Sequence, residues 1–227
     1  MDYCVFCLGS DLENFTAGGK PYFRCGDCGG IFLSRDFLPS AEDEKKRYEL
    51  HRNSGDDQGF RTYLERFIDP VLASVARAAG DERVRTVFDY GSGPEPVLVA
   101  LLREHGFDVR GWDPFFAPDT LPFEGGADLV VCHEVAEHFF EPRRDFDRMA
   151  ATVKPGGYLA VGTMTLPSDG TDTKSYFSSW WYRQDSTHVA FYTETALKTV
   201  GESTGLVWLG AAGKNAFLFR RPDQCRP

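Results

Sequence analysis

The sequence predicts an α/β protein in which a mostly parallel sheet is covered by helices on both faces, behind a small cysteine-held ribbon and a helical linker. Three observations carry this. Short apolar runs alternate with helical stretches from Val84 onward, a glycine turn follows the first such run, and four of the six cysteines fall within the first 28 residues. Strands that alternate with helices pair in parallel and are buried on both faces, because each crossover lays a helix against the sheet.

The ribbon comes first, over residues 1–38. Cys4-x-x-Cys7 and Cys25-x-x-Cys28 are two pairs about twenty residues apart, a spacing that suits four thiolates around one tetrahedral zinc ion. A disulfide pair and an iron centre are the alternatives. Gly26 and Gly29-Gly30 supply turns beside the second pair, and the segment resembles a zinc ribbon. With all four positions filled by protein, such an ion is structural. Lys20, Arg24 and Arg35 face five carboxylates in the same stretch, Asp2, Asp11, Glu13, Asp27 and Asp36. That balance favours contact with a protein partner, a second copy of the chain or a lid over a grip on phosphate.

The linker, residues 39–80, reads as two helices. Residues 41–53 are charged and helical in pattern, and Tyr48 and His51 belong either to a solvated helix face or to a gate over a ligand, the second as the resemblance described below implies. From Asp56-Asp57 a second helix carries Phe60, Tyr63, Leu64, Phe67, Ile68, Val71, Leu72 and Val75 at helical spacing, with a kink expected at Pro70. The third unit, residues 81–227, has strands expected near 85–90, 108–112, 128–132, 158–163, 207–211 and 216–220. Helices are expected near 96–105, 143–152 and 194–204. The last two strands flank Gly213-Lys214-Asn215 and read as a hairpin with an antiparallel edge.

Thr86-Val-Phe-Asp-Tyr-Gly-Ser-Gly93 is a strand running into a glycine turn, and Asp113 follows at the tip of the next strand. Glycines there permit the reversal and the close approach of a ligand, and a carboxylate can accept from both hydroxyls of a ribose. Glu95 and Pro96 stand where a dinucleotide-binding turn would place its third glycine and a pyrophosphate. A carboxylate at that helix start repels phosphate. The expected cofactor therefore carries a nucleoside without phosphates, which disfavours NAD.

Phe88-Asp89-Tyr90-Gly91-Ser92-Gly93, Trp112-Asp113, Ala127 to His138 and Lys154-Pro155-Gly156-Gly157-Tyr158-Leu159 resemble the successive motifs of class I S-adenosylmethionine (SAM) methyltransferases. The resemblance implies that family's mostly parallel, seven-stranded-type sheet. It also implies that Asp89 and the Gly91, Ser92 and Gly93 backbone hold the methionine part of SAM, and that Asp113 takes the ribose. Pro114 then borders adenine, with His133 and Glu134 on the other side of the cofactor.

For the acceptor, His138 and His188 are the candidate acid–base groups, since imidazole titrates near neutrality. Asp185 is close enough in sequence to orient His188. Trp180-Trp181-Tyr182 places three large aromatics in a polar loop, as in a pocket wall. A helix-packing His138 and a helix-capping His188 are the plainer alternatives.

The resulting expectation is methylation of a small-molecule acceptor, with oxygen slightly ahead of carbon or nitrogen. A zinc-ribbon RNA methyltransferase and a non-catalytic SAM-binding assembly protein are the other readings. The net charge of −9 opposes a nucleic-acid partner. No apolar run has the length of a membrane span, and Met1-Asp2-Tyr3-Cys4 lacks the segments of a signal peptide, so a cytoplasmic location is expected.

Overall fold

The structure, a computed structural model, describes residues 2–50, 55–80, 83–167 and 173–223. His51 lies outside the described residues.

The N-terminal strands β1 (Leu12–Ala17), β2 (Lys20–Cys25) and β3 (Ile31–Leu33) form an antiparallel meander. Helix α1 (Ala41–Glu49) follows, capped by the Ser40 hydroxyl, which accepts from the Asp43 N–H. Helix α2 (Gln58–Ala79) is capped by Asp57 and runs through Pro70 without interruption. Its apolar stripe, Leu64, Phe67, Ile68, Val71 and Val75, is buried against the main sheet, so this part of the expected linker is a layer of the core.

The main sheet is built from β4 (Thr86–Tyr90), β5 (Asp108–Trp112), β6 (Ala127–His133), β7 (Val153–Gly162), and two later strands described below. Helix α3 (Val97–Glu104) connects β4 to β5, and α4 (Pro142–Thr152) connects β6 to β7. The side chains of β6 are buried along all but its last residue, as an apolar run covered on both faces requires. After β7 come α5 (Thr173–Ser179), β8 (Ala190–Phe191), α6 (Glu194–Glu202), β9 (Val207–Gly213) and β10 (Ala216–Arg220).

The strand order is β5-β4-β6-β7-β10-β9, with β10 antiparallel to β7 and β9 antiparallel to β10. The hairpin expected across Gly213-Lys214-Asn215 closes with Asn215 at φ 55°. The sheet has six strands among the described residues, one fewer than the seven-stranded type. Residues 113–126 carry Pro114, Pro118 and Pro122 and end in Gly125-Gly126, a composition short of ladder donors, and they form only an isolated bridge from Asp113 to Ala117.

The ribbon is welded to this core. β8 adds to its meander, giving the order β1-β2-β3-β8 with Ile31 opposite Phe191 and Phe32 opposite Ala190. The rings of Phe6 and Tyr192 stand 4.8 Å apart. Thr193 caps α6 by accepting from the Ala196 N–H, and its hydroxyl donates to the Cys28 carbonyl. The sheet therefore crosses from residues 1–38 into the unit expected to begin at residue 81.

Candidate active site

The chain passes from β4 outward to β5 and then back across to β6, so the strand order reverses between β4 and β6. Ligands of open α/β sheets bind outside the carboxyl ends of the strands at such a reversal. A cavity of about 1030 Å³ opens there, lined by the tips of β4, β5 and β6, by α1, and by residues 181–188.

Its first half contains the turn after β4. Gly91 and Gly93 have φ of 93° and 69°, conformations that glycine adopts without strain. A Cβ on Gly91 would meet Val135 at 2.5 Å. The turn amides are used within the protein. Gly91 and Ser92 donate to the Trp112 carbonyl, and Gly93 donates to Asp113 Oδ2. The turn thus offers space and backbone atoms to the cavity. Asp113 Oδ1 accepts from the amides of Phe115 and Phe116, so the carboxylate expected at the ribose is fixed in place beside Pro114. Asp89 is buried, and no described residue donates to its carboxyl. Burial, with Asp113 beside it, raises its pKa to about 7.

His133 stacks on Phe67 with centroids 4.1 Å apart, and neither ring nitrogen has a partner. Burial lowers its pKa to about 3, so the ring is neutral. Glu134 has φ 52°, a strained value for a side chain of its size, and its Oε2 accepts from the Tyr182 hydroxyl. The strain turns the chain sharply at the end of β6.

The second half gathers around Glu137, which sequence reasoning did not assign to the site. Residues Ala136–His138 form a single 3-10 turn. Glu137 is fully buried; its Oε2 accepts from the Thr163 hydroxyl, and its Oε1 has no hydrogen-bond partner. Burial, with Glu134 beside it, raises its pKa. His138 Nε2 and His188 Nε2 each lie 4.0 Å from that Oε1. Each imidazole turns its Nδ1 to a backbone carbonyl: His138 to Thr187 at 3.0 Å, His188 to Tyr182 at 2.7 Å. A carbonyl only accepts, so both Nδ1 atoms carry hydrogen.

Asp185, the carboxylate expected to act on His188, feels that ring's charge and also serves other groups. Asp185 receives the Arg47 guanidinium at 2.7 Å and the amide and hydroxyl of Thr187. Burial acts to raise its pKa, but Thr187 and Arg47 outweigh this and hold it well below the usual carboxylate range. Asp185 therefore fixes the loop and ties it to α1, while the Tyr182 carbonyl and Glu137 flank His188. Tyr48 closes the top of the cavity, its ring edge-on to His138 at 5.2 Å and 5.8 Å from Phe115. Of the three consecutive aromatics, Trp180 is buried in the core, and Trp181 and Tyr182 line the cavity. The Glu134-x-x-Glu137-His138 spacing was the available signal for Glu137, since one short turn returns both carboxylates to the same side.

Away from the cavity, the sulfurs of Cys4, Cys7, Cys25 and Cys28 all lie within 4.8 Å of one another, with Cys4 to Cys28 at 3.6 Å and Cys7 to Cys25 at 3.5 Å. Ligands 2.3 Å from a tetrahedral zinc ion stand about 3.8 Å apart, so the cluster fits that ion. The amides of Phe6 and Gly9 point at the sulfurs of Cys4 and Cys7. Among the described residues, no helix is long and apolar enough to cross a membrane.

A family model described as "Methyltransferase domain" matches residues 60–209. A curated relative, the ubiquinone biosynthesis O-methyltransferase of Cronobacter sakazakii, is 32% identical over 74 residues, which span 32% of this chain and 30% of that protein. Among solved structures, 1,6-didemethyltoxoflavin-N1-methyltransferase of Burkholderia thailandensis, with bound 1,6-didemethyltoxoflavin and S-adenosylhomocysteine, has a TM-score of 0.55 at 16% identity, covering 87% of this chain and 98% of that one. An O-methyltransferase family protein from the same species has a TM-score of 0.50 at 18% identity, covering 83% and 64%.

Proposed function

Because the chain belongs to the methyltransferase-domain family, we propose that this SAM-dependent methyltransferase methylates an oxygen of a small-molecule acceptor held between Tyr48, Glu137, His138, Tyr182 and His188. The observation that carries the proposal is the continuity of one cavity from Asp89 and Asp113 to the two histidines. Its volume of about 1030 Å³ leaves room for an acceptor beside the cofactor. Room of this kind also speaks against a protein that keeps SAM only for stability.

The chemistry that SAM supplies when bound is a methyl group on a positively charged sulfur, open to in-line displacement. Asp89, a buried carboxyl without a donor, suits the ammonium of the methionine part. Asp113, held by three amides, keeps lone pairs for the ribose hydroxyls. The glycine turn leaves space between them, Pro114 and Phe115 border adenine, and His133 and Glu134 wall the other side.

At the acceptor end, His138 and His188 with Glu137 activate a hydroxyl, and Asp185 positions the loop that carries His188. Nine carboxylate residues and three arginines line the whole cavity, a balance that opposes a polyphosphate acceptor such as RNA. Zinc on Cys4, Cys7, Cys25 and Cys28 holds the ribbon, whose residues Arg35 and Leu38 form part of the cavity wall. The oxygen preference draws support from the Cronobacter relative, which is named as an O-methyltransferase.

The test supplies SAM labelled in its methyl group together with a panel of hydroxylated aromatic and alicyclic compounds and, separately, total RNA. Label is expected in the low-mass fraction as an ether. Label in RNA, or no transfer by a protein that binds S-adenosylhomocysteine, would overturn the acceptor assignment.

A further inference from the structure

Three atoms able to give electron pairs converge at the acceptor end of the cavity: Glu137 Oε1, His138 Nε2 and His188 Nε2. We propose that they hold a divalent metal ion, and that this ion takes the acceptor's hydroxyl oxygen as a further ligand. The proposal rests on the acceptor lying at this end of the cavity, as argued above, and it specifies how the hydroxyl is activated.

The geometry fits an ion. Both nitrogens are 4.0 Å from the Glu137 oxygen, and all three atoms lie within 4.8 Å of one another. A point equidistant from the three is at most about 2.5 Å from each, so contraction by a few tenths of an ångström reaches the 2.0–2.2 Å of transition-metal bonds to nitrogen and oxygen.

The surroundings fit as well. With Nδ1–H given to the carbonyls of Thr187 and Tyr182, the neutral form of each ring carries its lone pair at Nε2. A second-shell acceptor of this kind fixes the tautomer and orientation of metal-bound histidines. The Thr163 hydroxyl holds Glu137 Oε2 and leaves Oε1, fully buried and without a hydrogen-bond partner, facing the rings. The two segments are tied together by the Val189 amide donating to the Glu137 carbonyl, which fixes the distance across the cluster.

Two imidazoles and one carboxylate suit zinc, manganese, iron(II) or cobalt better than magnesium or calcium. Three protein ligands leave at least one position open toward the cavity, where the four-cysteine cluster leaves none. An oxygen bound there loses its proton to water more readily than a free hydroxyl. The oxygen then forms a bond to the methyl carbon as the carbon–sulfur bond breaks, and that electron pair stays on sulfur. The products are the methyl ether and S-adenosylhomocysteine.

Manganese(II) is the probe, because it favours nitrogen and oxygen donors and ignores the thiolate cluster. Electron paramagnetic resonance titration of the purified full chain is expected to show one bound Mn²⁺ per chain. Glu137→Gln and His188→Ala should each weaken that binding by about 100-fold or more, while Asp113→Ala leaves it unchanged. Melting temperature checks that all three variants are folded, and S-adenosylhomocysteine binding checks it again for Glu137→Gln and His188→Ala. No Mn²⁺ bound by a wild-type protein that binds S-adenosylhomocysteine overturns the ion and leaves the methyl-transfer reading standing. Mn²⁺ binding indifferent to both variants also overturns it. Failure to bind S-adenosylhomocysteine strikes at the earlier reading instead.

Discussion

The cofactor half of the cavity is drawn from residues 89–116, where two adjacent parallel strands end and their turns hold each other through backbone amides. His133 and Glu134 wall it from the end of β6, whereas the acceptor half takes Tyr48 from α1, Glu137 and His138 from the turn after β6, and Tyr182 and His188 from a loop nearly fifty residues further on. Local chain geometry builds the first, and tertiary packing of side chains builds the second. The acceptor half should therefore fail when remote parts of the molecule are disturbed, and the cofactor half should not.

The ribbon gives the most severe disturbance. Structural zinc sites contribute several kcal/mol or more to the folding of the segments that they hold. Replacing Cys28 by serine should release zinc, expose the β3–β8 seam and lower the melting temperature by about 10 °C or more. Since β8 begins two residues after His188, methyl transfer should be lost. Binding of S-adenosylhomocysteine, measured by calorimetry below the new melting point, should stay within a few-fold of the wild type. Equal loss of both functions would show that the halves are not separable.

His188→Ala tests the same division at a single side chain. Turnover should drop by roughly two to four decades, the usual worth of a group that activates the nucleophile. Affinity for S-adenosylhomocysteine should be unchanged, because His188 stands with Glu137 and Tyr182 at the acceptor end. A variant with full turnover reduces the ring to packing against Tyr182.

The same contrast explains what was legible in the sequence. Gly91, Gly93 and Asp113 could be placed beside the cavity because their positions follow from two strands and the turns between them. The positions of the six strands along the chain followed from the same alternation. Glu137 was not placed, although it lies next to His138, because nothing local marks a glutamate as buried; its burial depends on Thr163 and on a loop far along the chain. Asp185 was given to His188 on proximity in sequence, and nothing local announced that Arg47, 138 residues away, also pairs with it. The weld between ribbon and core was equally invisible, since β8 has only two residues and pairs with a strand about 160 positions earlier.

Asp113→Ala addresses the other half. Loss of a charged hydrogen-bond acceptor should weaken binding of S-adenosylhomocysteine by about 1–3 kcal/mol. Asp113 also holds the amides of Gly93, Phe115 and Phe116, so Asp113→Asn is the sharper variant, keeping an acceptor for part of that network. An intermediate loss with Asn, and acceptor KM unchanged in both variants, would confine the residue to the cofactor half. Unchanged affinity in both would remove it from the site.

Asp128 lies at the opposite ends of the strands and should move neither half. Its Oδ2 accepts from the amides of Arg85 and Thr86 and from the Thr86 hydroxyl, and Lys154 pairs with Oδ1. Burial acts to raise its pKa, but Lys154 and these donors outweigh burial and lower it below the ordinary value of 3.8. A carboxyl depressed in the folded state stabilises the protein above its unfolded pKa, and that contribution disappears as pH falls through the folded pKa. Asp128→Asn should therefore cost of order 1 kcal/mol near pH 7, allowing for the half-exposed lysine. The gap between the denaturation curves of variant and wild type should begin to narrow as pH falls through about 4, the unfolded pKa, and close only below the lower folded pKa. Turnover and cofactor affinity at pH 7 should match the wild type, because the network joins β4, β6 and β7 at the end of the sheet away from the cavity. A drop in either function would mean that the register of these strands governs the positions of Asp89 and Glu134 at their far tips, and the division between locally built and packing-built halves would then be too sharp.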